Sequence, residues 1–176
     1  SFTQVLDDMD MMSIFQPLIN NGTLIKIQDE SGNSIEDIGY PIGWINSIGD
    51  MQTSEGYKIK LTSNATLILA GENQSPPFSI DLLTGWNIIG YPTDDSQDAL
   101  SIFQQLIDNE ILIKVQDESG NSIEDLGLPI GWVNQIGNFE AGEGYKVKVT
   151  ENTVLTIINE SSIRLLKNNI SKKLRN

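Results

Sequence analysis

The chain has 176 residues, with 24 acidic against 11 basic side chains, a formal net charge of -13 at pH 7, and neither cysteine nor histidine. That charge disfavours the phosphate backbone of nucleic acids and anionic membrane surfaces as partners. The missing residue types exclude Cys/His zinc sites, Cys–His nucleophiles and Ser–His–Asp triads.

The chain opens Ser1-Phe2-Thr3, without an initiator methionine or signal peptide, and reads as a mature product or a cut piece. After a weakly specified start, Met11, Ile14, Phe15 and Leu18 fall at helical spacing, with Asp7, Asp8 and Asp10 near the positive end of the helix dipole. Leu24–Gln28 reads as a strand with Ile25 and Ile27 on one face. Asp29-Glu30-Ser31-Gly32-Asn33 reads as a hairpin turn in which Gly32 and Asn33 supply positive φ, and Ser34–Asp37 as its return strand. Residues 39–49, punctuated by Gly and Pro, read as a loop with one helical turn. Tyr57, Ile59 and Leu61 then alternate with Lys58, Lys60 and Thr62, and a turn at Ser63-Asn64 leads to a strand over residues 66–70. Residues 72–77 form a polar, proline-containing linker. Residues 78–83 and 85–92 follow as two further strands, with Trp86 placed in the core beside Ile88 and Ile89. No apolar run approaches the roughly 20 residues of a membrane helix, so no membrane insertion is expected.

Most of this pattern occurs twice. Residues 13–72 align with residues 101–160 without a gap, at a shift of 88 positions, with 37 identities in 60. The run Gln28-Asp29-Glu30-Ser31-Gly32-Asn33-Ser34-Ile35-Glu36-Asp37 recurs letter for letter at residues 116–125. In the second copy Asp94, Asp95 and Ser96 offer N-caps to a helix whose apolar face is Ala99, Phe103, Leu106 and Ile107. Pro17 stands where the second copy has Gln105 and is expected to perturb or shorten the first helix. The Gly85-Trp86-Asn87 strand has no counterpart ahead of the first helix, while Ser162-Ile163-Arg164-Leu165-Leu166 echoes Ser79-Ile80-Asp81-Leu82-Leu83.

The organisation read from this is a first repeat over residues 1–72 lacking its opening strands, a second over 73–160, and a C-terminal strand and basic tail over 161–176. The fold class is mainly β (α+β): two pseudo-symmetric β-rich repeats of about 88 residues, each with one short helix. A unit this small buries only about 60% of its unfolded surface, so the repeats are expected to pack on each other or share strands. A first repeat without its Gly-Trp-Asn strand leaves an open sheet edge, which makes a homo-oligomer by strand exchange an expectation.

The succession Gly85-Trp86-Asn87-Ile88-Ile89, a Ser-Ile-Phe helix, Leu-Ile-Lys-Val-Gln-Asp, Gly-Trp-Val-Asn-Gln-Ile-Gly and Glu-Gly-Tyr-Lys-Val-Lys-Val covers nearly the whole chain. It resembles modules found towards the C-terminal end of large secreted or surface proteins of Bacteroidota. The resemblance implies an extracellular or cell-surface accessory module without known catalysis.

Three groups of residues invite a functional reading. Trp44 and Trp132, with Tyr57 and Tyr145, are candidates for a sugar-stacking platform; the plain alternative is that these rings fill the core of a small unit. The acidic turn offers Asp29, Glu30, Asn33, Glu36 and Asp37 as hard oxygen ligands for calcium, but lacks EF-hand spacing, and a hairpin turn accounts for it. Glu55 and Glu143 suggest a carboxylate pair; the plain alternative is a glycine that permits the turn into the strand beside a solvated glutamate. No metal and no cofactor is implied. The expectation is a non-catalytic structural or attachment module. A carbohydrate- or ligand-binding module is the alternative, with polysaccharide or neighbouring domains as partners and duplication raising avidity. A carboxylate hydrolase comes third.

Overall fold

The computed structural model describes residues 4–53 and 55–158. The expected C-terminal strand and tail over 161–176 lie outside these residues. The architecture is mainly β, built from antiparallel sheets with three short helices among the described residues.

The first copy comprises β1 (Gln4–Val5), α1 (Met11–Asn20), β2 (Leu24–Gln28), β3 (Ser34–Asp37), β4 (Trp44–Asn46), β5 (Lys58–Leu61) and β6 (Glu72–Asn73). Its sheet has the order β4-β3-β2-β5, while β6 pairs with β1. Asp10 caps α1: its Oδ2 accepts from Ser13 N at 2.8 Å, and that bond holds the carboxyl below its ordinary pKa. Met11 and Phe15 are buried from α1 against Ile27, Ile35 and Met51. Pro17 does not shorten this helix. Pro17 lies with Ser13 on the exposed side of the helix, away from the buried Met11, Ile14, Phe15 and Leu18.

The second copy comprises β7 (Phe78–Leu82), β8 (Gly85–Gly90), β9 (Gln97–Asp98), α2 (Ala99–Ile102), α3 (Gln104–Asp108), β10 (Leu112–Gln116), β11 (Ser122–Asp125), β12 (Trp132–Asn134), β13 (Asn138–Phe139), β14 (Gly144–Val149) and β15 (Thr153–Ile157). Here the helix is in two pieces. Phe103 N donates to Leu100 O, three residues back, a tighter turn than the α-helix makes. The cap is Asp98, equivalent to Asp10, rather than Asp94, Asp95 or Ser96. The main sheet has the order β12-β11-β10-β14-β8, with β15 paired to β7 and β13 to β9. Phe139 anchors the core: its ring lies parallel to Tyr145 at 3.5 Å and edge-on to Tyr91 at 5.5 Å and Phe103 at 5.7 Å.

Several sequence expectations are corrected by local geometry. The register shifts between Leu24 and Lys26, and again between Leu112 and Lys114. This irregularity breaks the period-two alternation, so Leu24 and Ile27 are buried while Ile25 is 38% exposed. Residues 39–49 contain no helical turn; they hold a tight turn, a cis Tyr40–Pro41 bond and β4. Asn33 does not take positive φ. Gly32 alone supplies it in that turn, at 92°, and Asn33 N and Nδ2 instead donate to Asp29 Oδ1 and Oδ2 at 2.8 and 2.7 Å. Residues 66–70 form no strand. Their twin β15 is held by five register pairs to β7, and the first copy has no such partner among the described residues.

The same asymmetry marks the sheets. β14 lies between β10 and β8, whereas β5 is an outer strand of its sheet. Val147 on β14 is 0% exposed, while its twin Ile59 on β5 is 45% exposed.

The two copies meet across β8. On one edge β8 pairs with β14, Gly90 opposite Gly144, and Tyr91 N continues the contact by donating to Glu143 O at 3.0 Å. On the other edge Gly56 N donates to Ile88 O at 2.8 Å, Glu55 bridges to Ile89, and the Glu30 carboxylate accepts from Ile88 N at 2.7 Å. Both copies of the Glu-Gly pair thus hold the same strand, from opposite sides. Neither Gly56 nor Gly144 has positive φ, so these glycines do not serve a left-handed turn. At Gly56 the reason is space: a Cβ would stand 2.7 Å from both Ile88 Cγ2 and Ile89 O.

Candidate functional site

Among residues 4–158 the only basic side chains are Lys26, Lys58, Lys60, Lys114, Lys146 and Lys148. Their arrangement follows from strand register. Lys26 lies opposite Lys60 and Gln28 opposite Lys58 across β2 and β5; Lys114 lies opposite Lys148 and Gln116 opposite Lys146 across β10 and β14. Residues directly opposite one another share a face, so each sheet gathers its lysines on one side. The intervening residues Ile27, Val115 and Val147 are buried on the other.

Two of the six lysines are neutralised locally. Lys26 Nζ lies 3.1 Å from Glu36 and Lys114 Nζ 2.9 Å from Glu124. Each glutamate also accepts from a serine hydroxyl, Ser34 or Ser122, and that bond together with the lysine holds its pKa below the ordinary value. Lys58, Lys60, Lys146 and Lys148 form no salt bridge among the described residues.

Trp86 borders this lysine-bearing face. Its apolar neighbours Ile88 and Ile89 predict a core ring; it is instead 48% exposed, because Asn87 and Ile89 are the inward residues of β8. Asn87 is buried without loss because its side chain accepts from Leu83 N and donates to Leu83 O, both at 2.8 Å, closing the β7–β8 turn. Lys148 lies opposite Trp86 in the register, with Nζ 5.7 Å from the ring centroid. Between the copies, Trp86, Lys58, Lys146, Gln116 and Glu30 line an open cleft of about 390 Å³.

Set against known protein families, curated proteins and solved structures, the chain matches none.

The four aromatic residues singled out from the sequence do not form one platform. Trp44 and Tyr57 are half-buried against the first core, and Trp132 packs half-buried against the second. Tyr145 is only 4% exposed and is stacked on Phe139, which removes its face from any ligand. Both phenol oxygens are tied to the backbone: Tyr57 accepts from Gln52 N at 2.9 Å and Tyr145 from Glu140 N at 3.0 Å. Burial pushes both phenols up to about 12.

The acidic candidates are engaged structurally. Asp29 and Asp117 each accept twice from the asparagine four residues on. Among the described residues no three acidic side chains converge on one point. Glu30 and Glu55 face a common space of about 250 Å³ at the joint, but Glu30 is bonded to Ile88 N and Glu55 accepts from Tyr57 Oη at 3.3 Å.

Burial raises the pKa of Glu55, and the nearby Glu30 and Asp29 charges add to the rise. A raised native pKa means that the contribution to stability is full below the ordinary value of 4.5 and is lost as pH rises through the native value. Glu55→Gln removes that loss. The variant should therefore melt at a higher temperature than the parent at pH 7 and match it at pH 4. A lower melting temperature at pH 7 would show that the carboxylate stabilises the joint.

The loop tips are exposed in both copies: Ile38, Tyr40 and Ile42 in the first, Leu126, Leu128 and Ile130 in the second. No helix among the described residues is long and apolar enough to cross a membrane.

Proposed function

We propose that the chain is a non-catalytic structural module of a secreted or cell-surface protein, in which successive units join through a strand edge. The extracellular setting follows the resemblance of its Gly-Trp-Asn and Glu-Gly-Tyr segments to surface-protein modules. What supports the joining role most is the double hold on β8, paired to Gly144 on one edge and bonded by Gly56 and Glu30 on the other. Main-chain groups make most of that joint, as they do wherever a strand is added to a sheet edge.

The outer edge of β5 extends the proposal. In the second copy the equivalent edge is covered by β8, with Lys146 opposite Ile88 and Lys148 opposite Trp86. A strand of the same pattern, supplied by an adjoining unit of this kind, would set isoleucine against Lys58 and tryptophan against Lys60. Direct pairing of β5 with β5 of a second chain is disfavoured, because it would bring lysines together along an edge. A peptide with the sequence of residues 78–90 should bind the full chain and slow amide hydrogen exchange over residues 57–61. Unchanged exchange at saturating peptide would overturn the accepting role of β5.

A further inference from the structure

We infer that the cleft between the copies is a binding site for an acidic polysaccharide, with Trp86 as the stacking surface and Lys58 and Lys146 as the carboxylate-binding groups. The inference needs the joint at β8, which forms the cleft, but not the reading of the β5 edge.

Three observations converge on it. The first is charge. In a chain of net charge -13, the described lysines all lie on the two sheet faces, and Lys58 and Lys146 of the cleft have no acidic partner among the described residues. Both line one concavity, Lys58 exposed and Lys146 half-buried, and two cations held together in a cleft attract an anion despite the overall sign. The only carboxylate lining the cleft is Glu30, and its Oε2 already accepts from Ile88 N at 2.7 Å.

The second observation is the exposed indole. Half of Trp86 is open to solvent beside those cations. An indole face suits the C–H face of a pyranose, which gains apolar contact there without losing the outward hydroxyls. Gln116 adds an amide that both donates and accepts at the cleft wall. Stacking surface, cations and an amide together specify a sugar ring carrying a carboxylate.

The third observation is shape. A volume of about 390 Å³ falls within the range of small-molecule sites, and the cleft is open at its sides, so a chain can pass through. Dense polyanions such as nucleic acid fit less well, because their closely spaced phosphates would meet the acidic remainder of the molecule.

The test uses the full chain and two soluble polymers, polygalacturonate as the acidic probe and dextran as the neutral one, in affinity electrophoresis and by tryptophan fluorescence. Polygalacturonate should retard the protein and shift its emission, dextran should do neither, and raised salt should weaken retardation. Trp86→Ala and the double variant Lys58→Gln/Lys146→Gln should each weaken binding by roughly tenfold or more. Trp86→Phe should retain part of it, and Lys26→Gln, outside the cleft, should be unchanged. Circular dichroism on every variant separates loss of the site from loss of the fold. Absence of retardation by polygalacturonate would overturn the site, and equal retardation by dextran would overturn its acidic specificity. Retention of binding by both the Trp86→Ala and double-lysine variants would overturn the assigned residues.

Discussion

Replacing Phe139 by alanine is expected to cost about 3–5 kcal/mol, the largest loss of any single substitution considered for this chain. Phe139 is fully buried and meets three other rings, one stacked and two edge-on. Its removal leaves a cavity bounded by rigid aromatics that have little freedom to close in. Its counterpart in the first copy is Met51, also buried but with a flexible, unbranched side chain in place of a ring. Met51→Ala is therefore expected to cost less, about 2–3 kcal/mol at the low end of such truncations. Urea denaturation of both variants checks the pair. A loss below about 1 kcal/mol for Phe139→Ala would contradict the packing described around that ring.

The second large effect belongs to the joint. Gly56→Val places atoms within 2.7 Å of Ile88 Cγ2 and Ile89 O, and one of those obstacles is backbone that cannot turn aside. Overpacking of this kind costs about 1–3 kcal/mol, and here the relief available to the molecule is to part the two copies. Gly144, the same residue of the other Glu-Gly pair, has its nearest obstacle at 3.6 Å, an ordinary contact. Gly144→Ala should therefore be nearly silent, whereas Gly56→Val should lose hydrogen-exchange protection at Ile88. It should also change one denaturation transition into two. Equal behaviour of the two variants would contradict the asymmetry of the joint.

Much of the β framework was legible because the chain states it twice. The hairpin around Gly32 and the lysine alternation of β5 and β14 follow from local pattern alone. What escaped was tertiary. The irregularity at Leu24 moves burial from Ile25 to Leu24, and no periodicity announces it. Residues 66–70 have the composition of a strand, yet a strand needs a partner, and only the second copy provides one. Pro17 is expected to perturb or shorten the first helix, but it falls on the exposed side, and α1 runs through it over Met11–Asn20.

The candidate site was harder to read for a related reason. Apolar neighbours drew Trp86 into the predicted core, although Asn87 takes the inward position by closing a turn with its own side chain. The equivalence of Trp44 to Trp132 and of Tyr57 to Tyr145 suggested paired sites, whereas the cleft lies where the copies differ. Tertiary contact, which sequence spacing does not encode, brings Lys58 of one copy beside Lys146 and Trp86 of the other.

The joint at β8 also bears on how such chains change over generations. Its hydrogen bonds meet main-chain atoms of Ile88, whose carbonyl accepts from Gly56 N and whose N–H donates to the Glu30 carboxylate, so little of it is written in the side chains of β8 itself. Units whose surfaces have drifted apart can be exchanged, inserted or deleted and still fit together, provided that a glycine and an acid stand at these two places. Duplication is then inexpensive to tolerate, and the outward faces are free to diverge toward different ligands while the coupling stays the same.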